Sequence, residues 1–330
     1  MASSAWELIL QHSENVVQNP ESRSHTDKSW ARPYPPLQSF YVHTTVDDEQ
    51  GLVHAAFDPA FLPLGADEEK RSPRPAYPPN ERGFGDWRPK LMWSTGGIAR
   101  YPTLSSRHGQ DIQPSAQTCH TKPLGEVNIA ENVDCTYAVH IGNQRVPVAI
   151  GEMKRNLINS REWQTGHLSE PQQRLGRELR GYADKYQCPQ VFCWDVRVLL
   201  LLQFRASEPE DIRAADCPVD CWVIPVAGST CTLRYALYRL MVQGLRRCQA
   251  ALATNRSLTV GSLTEYKREF FTGCPIWRGV DGQSHADHNH HHHPEGYVRS
   301  VHAATGRLYW GQERELLGGI VWETDAFWEQ

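Results

Sequence analysis

The clearest hydrophobic pattern of the chain begins at residue 134. Apolar and polar residues alternate from Cys135 to Ile141, Gly142-Asn143 is a turn signal, and a largely apolar run extends from Val146 to Met153. A period of two is typical of a strand with one buried face, and two such runs around a short polar turn are typical of a hairpin. The pattern therefore predicts two antiparallel strands over residues 135–153.

A helical pattern and further strand-like runs follow this hairpin. Apolar residues recur at helical spacing from Glu170 onwards, with a proline in the first turn, until Cys188-Pro189 ends the pattern. The later elements are predicted as strands at Val191–Trp194, Val198–Phe204 and Val219–Val226 and as a long helix over residues 233–254. The run Val198–Leu202 does not alternate, so both of its faces are expected to be buried. This succession predicts an α/β fold in which helices flank a mixed sheet.

Three regions are expected along the chain. Residues 1–90 are interpreted as an N-terminal arm, with a possible hairpin over residues 38–57 and a proline-rich loop over residues 65–90. Residues 91–255 are interpreted as the α/β core, in which residues 91–125 are ambiguous and the pattern sharpens from Asp134 onwards. Residues 256–330 are an aromatic-rich extension. We expect both flanking regions to pack on the core instead of forming independent domains.

The composition of the chain limits the possible classes of function but does not identify one. The formal net charge of −4 gives no global field that would attract nucleic acid, so such binding would need a local basic patch. The nine cysteines include no Cys-x2-Cys pair, and the N-terminus has no secretory leader pattern. We therefore expect reduced thiols in an intracellular protein, cytoplasmic or nuclear. No apolar run is long enough to span a membrane.

Three polar side chains stand out against the predicted hairpin. Glu152 and Lys154 follow its second apolar run, and residues two apart in a strand point to the same face. Asp134 lies at the start of the first strand. Two carboxylates supply the hard oxygen ligands that suit Mg²⁺ or Mn²⁺, and a lysine beside them can orient a water or stabilise developing charge. The alternative is that Glu152 and Lys154 form an ordinary solvated ion pair.

The order of elements resembles the core of the PD-(D/E)xK nuclease-like superfamily over residues 126–226, about a third of the 330 residues. Asp134 and the run Gly151-Glu152-Met153-Lys154 match its motif. The resemblance implies a restriction-endonuclease-like core and metal-dependent hydrolysis of DNA or RNA, with Asp134, Glu152 and Lys154 as catalytic residues. Two positions depart from it: Val133 replaces a proline, and Glu178 replaces the glutamine that one branch carries four residues before a tyrosine, here Tyr182.

Both predicted helices carry arginines that are candidate phosphate contacts. The residues are Arg174, Arg177 and Arg180 with Tyr182 on the first helix, and Arg234, Arg239, Arg246 and Arg247 on the second. The alternative is that these are ordinary solvated faces. A rival function from another class therefore stays open, namely a catalytically inactive module of the same fold that binds a protein or nucleic acid partner through tryptophan, tyrosine and arginine surfaces.

A histidine-rich loop spans residues 285–293. Neutral imidazoles at this density bind Zn²⁺ or Ni²⁺, with His288, His290 and His292 as candidate ligands. The competing interpretation is a low-complexity loop whose metal affinity is adventitious. A metal store or sensor built on this loop is the third functional alternative.

Overall fold

The computed structural model describes residues 10, 23–57, 104–105, 111–118, 131–141, 144–251, 258–285, 292–302, 308–312 and 319–323. The predicted proline-rich loop and the histidines at positions 288 and 290 lie outside these residues. Within them the chain forms a mixed α/β structure, which agrees with the predicted fold class at that level.

The described strands belong to four sheets. In chain order they are β1 (Phe40–Val42), β2 (Thr44–Val46), β3 (Val53–Ala55), β4 (Leu104–Ser105), β5 (Asp111–Thr118), β6 (Cys135–Ile141), β7 (Gln144–Met153), β8 (Gln190–Trp194), β9 (Val198–Phe204), β10 (Val219–Pro225), β11 (Thr259–Val260), β12 (Leu263–Arg268), β13 (Pro275–Arg278), β14 (Ser284–His285), β15 (Tyr297–Val301), β16 (Leu308–Gln312) and β17 (Val321–Trp322). The helices are α1 (Ser160–Thr165), α2 (Glu170–Lys185) and α3 (Leu233–Ala251).

The main sheet has eight strands in the order β1-β10-β9-β8-β7-β6-β5-β4. Strands β6 and β7 form the predicted antiparallel hairpin, and β7 pairs in parallel with β8 after the crossover through α2. Strands β8, β9 and β10 are antiparallel neighbours, and β1 adds in parallel at the edge. The sheet is therefore mixed, and the predicted strands and helices from residue 135 to residue 251 are confirmed.

Two hydrophobic cores cover the two faces of this sheet. Helix α2 covers one face, where Leu175, Leu179 and Tyr186 pack with alternate residues of β8, β9 and β10. Helix α3 covers the other face, where Leu237 and Met241 pack with the remaining alternate residues. Strand β9 is buried along its whole length, as its unbroken apolar run predicts. Packing on both faces makes β7 and β8 rigid supports for any side chain at their ends.

The N-terminal segment packs on α2 because two helix glycines leave room for it. An ideal Cβ at Gly181 would lie 2.5 Å from the Trp30 ring, and one at Gly176 would lie 3.1 Å from Leu37. Further along, β1 joins the main sheet, while β2 and β3 form the expected hairpin within residues 38–57. Part of the segment interpreted from sequence as an arm is therefore a structural component of the α/β core.

The C-terminal region forms two small antiparallel sheets, β11–β14 and β15–β17. Their shared core contains Trp277 and Trp310 with three aliphatic residues. Backbone bonds from Phe270 N to Ser207 O, 2.8 Å, and from Phe271 N to Ala206 O, 3.1 Å, join this region to the segment after β9. The expectation that the extension packs on the core thus has direct support in these contacts.

None of the helices in the described part of the chain is both long and apolar enough to cross a lipid bilayer.

Candidate functional site

The predicted acid pair lies where β6 begins and β7 ends. The hairpin pairs Cys135 with Gly151, so the residue before β6 reaches the backbone of the residues that end β7. Asp134 Oδ2 accepts a hydrogen bond of 2.8 Å from the backbone N of Met153, which is the residue between Glu152 and Lys154. Lys154 N donates to Trp194 O at 2.8 Å, which extends the ladder with β8 by one residue. The three residues predicted from the motif are thus held by neighbouring parts of one rigid sheet.

Glu152 and Lys154 share the face that α2 covers, as their spacing predicts. Lys154 Nζ lies 2.7 Å from Glu152 Oε1 and 2.9 Å from Glu178 Oε1. All three side chains are almost completely buried, with residue exposures of 7% for Glu152, 5% for Lys154 and 0% for Glu178. The interpretation as a solvated surface pair is therefore wrong, because the ammonium is enclosed between two carboxylates.

Glu178 is the site residue that the motif did not assign. It lies in the middle of α2, one turn before Tyr182, and both face the sheet. Sequence spacing identified the position, as the place where one branch of the resembled superfamily has glutamine, but gave no reason for a carboxylate there. The structure supplies one, since the side chain at 178 reaches Lys154 across 24 residues of chain.

The electrostatics of the site depend on burial. Burial raises the pKa of Glu152 to about 7, an effect that nearby Lys154 opposes and that nearby Asp134 and Glu178 reinforce. Burial alone would lower the pKa of Lys154, but Glu152 and Glu178 outweigh it and leave that pKa above its ordinary value. At neutral pH, Lys154 is therefore a fixed positive charge beside a carboxyl group close to its own titration midpoint.

Tyr182 and the N-terminal segment form a layer next to these acids. Burial raises the pKa of Tyr182, and the charges of Glu152, Glu178 and Asp134 add to the effect. Trp30 packs on the Tyr182 ring with a centroid separation of 4.9 Å. Ser24 exchanges two hydrogen bonds with the backbone of Arg155, the residue after Lys154. The phenol is thus neutral and is held between the acids and the N-terminal segment.

Two oxygen atoms show how this site could accommodate a cation. Glu152 Oε2 and Glu178 Oε2 are buried, and neither has a hydrogen-bond partner among the described residues. An unpaired buried carboxylate oxygen is costly, and a divalent cation is one partner that removes the cost. The residues fit Mg²⁺ or Mn²⁺ in donor type. As arranged, with the ammonium between the carboxylates, the described residues contain no group of three or more His, Cys, Asp or Glu side chains that could hold a metal ion.

The expected arginine surface of α2 needs correction at Arg180. This residue is completely buried, and its Nη1 donates to Pro35 O at 3.0 Å, because the N-terminal segment covers that side of the helix. Burial lowers the pKa of Arg180 to about 10. Arg174 pairs with Glu170 one turn away, and Arg177 is half-buried. Tyr182 is buried and faces the acids instead of the surface.

The arginines of α3 are also buried, at exposures of 8% or less: Arg234, Arg239, Arg246 and Arg247. Arg247 donates to Gln190 Oε1 at 3.0 Å and to Pro147 O at 2.6 Å. The side chain of Arg247 therefore links α3 to β7 and to the first residue of β8. The alternative interpretation of these arginines as an ordinary solvated face is wrong for α3, since all four side chains are buried.

Of the histidine-rich loop the structure describes residues 285, 292 and 293, and these residues form no group comparable to the buried acid–lysine cluster. His292 is exposed, and His293 is buried against Trp277 at a centroid distance of 4.7 Å. His293 Nδ1 accepts a hydrogen bond from Glu295 N at 3.1 Å, which assigns the ring proton to Nε2. The ring of His293 is buried and packs edge-on against Trp277 and Trp310, so it contributes to the core of the C-terminal sheets.

Comparison of the chain with protein-family models, with curated proteins and with solved structures found no match. The description of this chain therefore rests on its structure alone. It is a mixed α/β protein with a buried acid–lysine cluster at the end of a central strand.

Proposed function

We propose that this chain is a PD-(D/E)xK-like, metal-dependent nuclease that hydrolyses phosphodiester bonds in DNA or RNA. The observation that supports this function best is the convergence of Asp134, Glu152 and Lys154 at the junction of β6, β7 and β8. Glu178 adds a third carboxylate, and two buried carboxylate oxygens lack a partner among the described residues. Such a set of charges would be expensive as a purely structural device, because each buried charge loses its hydration.

The chain's own residues divide the chemistry in a simple way. Asp134 and Glu152 would hold Mg²⁺ or Mn²⁺, which when bound offsets phosphate charge and lowers the pKa of a water. Lys154, charged over the whole physiological pH range, would act as a point charge toward the phosphate or the attacking water. The sheet holds these side chains in place, so little rearrangement of the backbone would accompany the reaction.

Cleavage assays with point variants test this function. Labelled single- and double-stranded DNA and RNA would be incubated with Mg²⁺, Mn²⁺ or EDTA. We expect cleavage only with a metal, and a loss of at least about 100-fold in Asp134→Ala, Glu152→Ala and Lys154→Ala. Glu208→Ala is a suitable control, because Glu208 forms an exposed pair with Lys267 away from the site. Equal cleavage by all three site variants and the wild type would refute the proposal.

A second candidate is a catalytically inactive module with this fold. The observation that favours it is the enclosure of Lys154 in a buried double ion pair, since such a lysine is not exposed to a substrate. Well-folded protein that cuts none of the four nucleic acids with either metal, yet binds one of them in a mobility-shift assay, would favour this module over the enzyme.

A further inference from the structure

We propose that Lys154 is an internal counter-ion, and that a divalent cation enters the site by displacing its ammonium group from Glu152 and Glu178. Glu178 then becomes a ligand of that cation together with Glu152. This inference rests on the proposed metal site, but it does not depend on nuclease activity.

The contacts of Lys154 are the first support. Its ammonium lies within 2.9 Å of both carboxylates, using one oxygen of each. The second oxygen of each carboxylate is buried and has no partner among the described residues. When both carboxyl groups are ionised, they share a single monovalent cation, which leaves one negative charge and two oxygens unmatched. A divalent cation between the same groups would match both.

Coulombic repulsion makes the exchange exclusive. A divalent ion that takes Lys154's place cannot remain next to the ammonium in a poorly solvated space, because like charges at this range repel strongly. The lysine has a flexible four-carbon stem, so its head can move away while the backbone of β7 stays in place. Displacement would also allow the Lys154 ammonium group to reach a phosphate or a water molecule next to the metal.

Glu178 is the residue that makes the exchange possible. It is completely buried in the middle of α2, and its Oε1 lies 2.9 Å from Lys154 Nζ. A glutamine at this position could donate a hydrogen bond but would carry no charge to attract a cation. The carboxylate therefore both retains Lys154 in the free protein and supplies a ligand once Lys154 leaves.

Manganese affinity provides the test, with Mn²⁺ alone as the probe and isothermal titration calorimetry as the readout. We expect Lys154→Met to bind Mn²⁺ at least about tenfold more tightly than the wild type, since the competing charge is gone. Adding Glu178→Gln in that background should weaken binding at least about tenfold. The matched controls are Lys267→Met and Glu208→Gln, which alter an exposed Lys–Glu pair and should leave the affinity unchanged.

A measurement on the wild-type protein covers the case in which Lys154→Met does not fold. Acylation of lysines, followed by mass spectrometry, should find Lys154 protected in EDTA and modified at least about tenfold faster with saturating Mn²⁺, while Lys267 serves as the exposed reference. Unchanged protection of Lys154 when Mn²⁺ is bound would overturn the exchange.

The outcomes separate this inference from the proposed nuclease. One outcome is metal-dependent cleavage by the wild type, with unchanged Mn²⁺ affinity in Lys154→Met and unchanged acylation of Lys154. That outcome would refute the exchange but support the nuclease. Tighter Mn²⁺ binding in Lys154→Met, without cleavage by the wild type, would support the exchange and remove the enzyme. Absence of Mn²⁺ binding to both proteins would contradict both ideas.

Discussion

Glu152 combines two opposing influences in one carboxyl group. Burial favours its neutral form, whereas the ammonium 2.7 Å away favours its charged form. Burial is the larger influence, and two neighbouring carboxylates add to it. The resulting pKa of about 7, against an ordinary value of 4.5, means that the folded protein holds this proton more tightly than the unfolded chain does.

This difference predicts a specific dependence of stability on pH in EDTA. Between pH 4.5 and about 7 the folded state binds more protons at Glu152, so the free energy of unfolding should fall as the pH rises, by up to about 3 kcal/mol. Glu152→Gln removes the titrating group, and its unfolding free energy should lose this component of the slope. Urea unfolding across the pH range measures the effect. Parallel profiles for the wild type and Glu152→Gln would contradict it, and Glu208→Gln controls for a general charge effect.

At the scale of elements, α3 approaches β7 unusually closely at one glycine. A Cβ built on Gly244 would lie only 1.8 Å from the carbonyl oxygen of Val148, an atom that cannot move without disturbing the strand. At Gly176 in α2, by contrast, the nearest neighbour is the Leu37 side chain at 3.1 Å, which can adjust. The same substitution should therefore have different consequences in the two helices.

We expect Gly244→Ala to destabilise the protein by about 2–3 kcal/mol, because α3 must shift away from the sheet. Gly176→Ala should change stability by less than about 1 kcal/mol, since the gain in helix propensity offsets a small repacking cost. Urea unfolding monitored by circular dichroism measures both values. Similar costs for the two variants would show that α3 does not pack on β7 as described.

Sequence pattern predicted the elements from residue 135 to residue 251 because their signals are local. Apolar residues recur at every second position in the strands and at helical spacing in the helices, so each element can be recognised without reference to the rest of the chain. Pro171 and Pro189 mark the beginning and the end of the first long helix. The same spacing argument placed Glu152 and Lys154 on one face. Contacts between distant segments left no such signal. The three-residue strand β1, for example, is defined only by its pairing with β10.

Burial of charged residues was the hardest feature to predict. Arg180, Arg247 and Glu178 read as polar helix positions, and a polar residue is normally expected to face solvent. Each is buried because it meets a specific partner from elsewhere in the chain: Pro35 O, Gln190 and Lys154 respectively. The motif therefore identified position 178, but only the structure shows that its carboxylate belongs to the site.

At the scale of the whole molecule, a buried network of ion pairs around Glu323 holds the two C-terminal sheets together. This carboxylate accepts hydrogen bonds from Arg268 at 2.7 Å, from Arg299 at 2.5 Å and from Trp310 Nε1 at 2.8 Å. The Arg299 and Glu323 side chains are almost completely buried, and Arg268 is nearly so. The network connects β12, β15 and β16 with the residue that follows β17, so it ties both small sheets together.

Removing the central acid should therefore cost much more than removing a surface acid. In Glu323→Ala two buried guanidinium groups lose their shared partner, and we expect a loss of about 3–5 kcal/mol in the free energy of unfolding. That is a large fraction of the roughly 5–15 kcal/mol that stabilises an ordinary domain. Glu208→Ala breaks an exposed pair with Lys267 and removes the capping side chain of the short 3-10 helix Pro209–Arg213, so it should cost only about 1 kcal/mol. Urea unfolding followed by tryptophan fluorescence reports on both, because Trp310 donates directly to Glu323. If the two variants were equally stable, the C-terminal sheets would not depend on this network, and the contacts of Phe270 and Phe271 with the segment after β9 would have to hold the region in place instead.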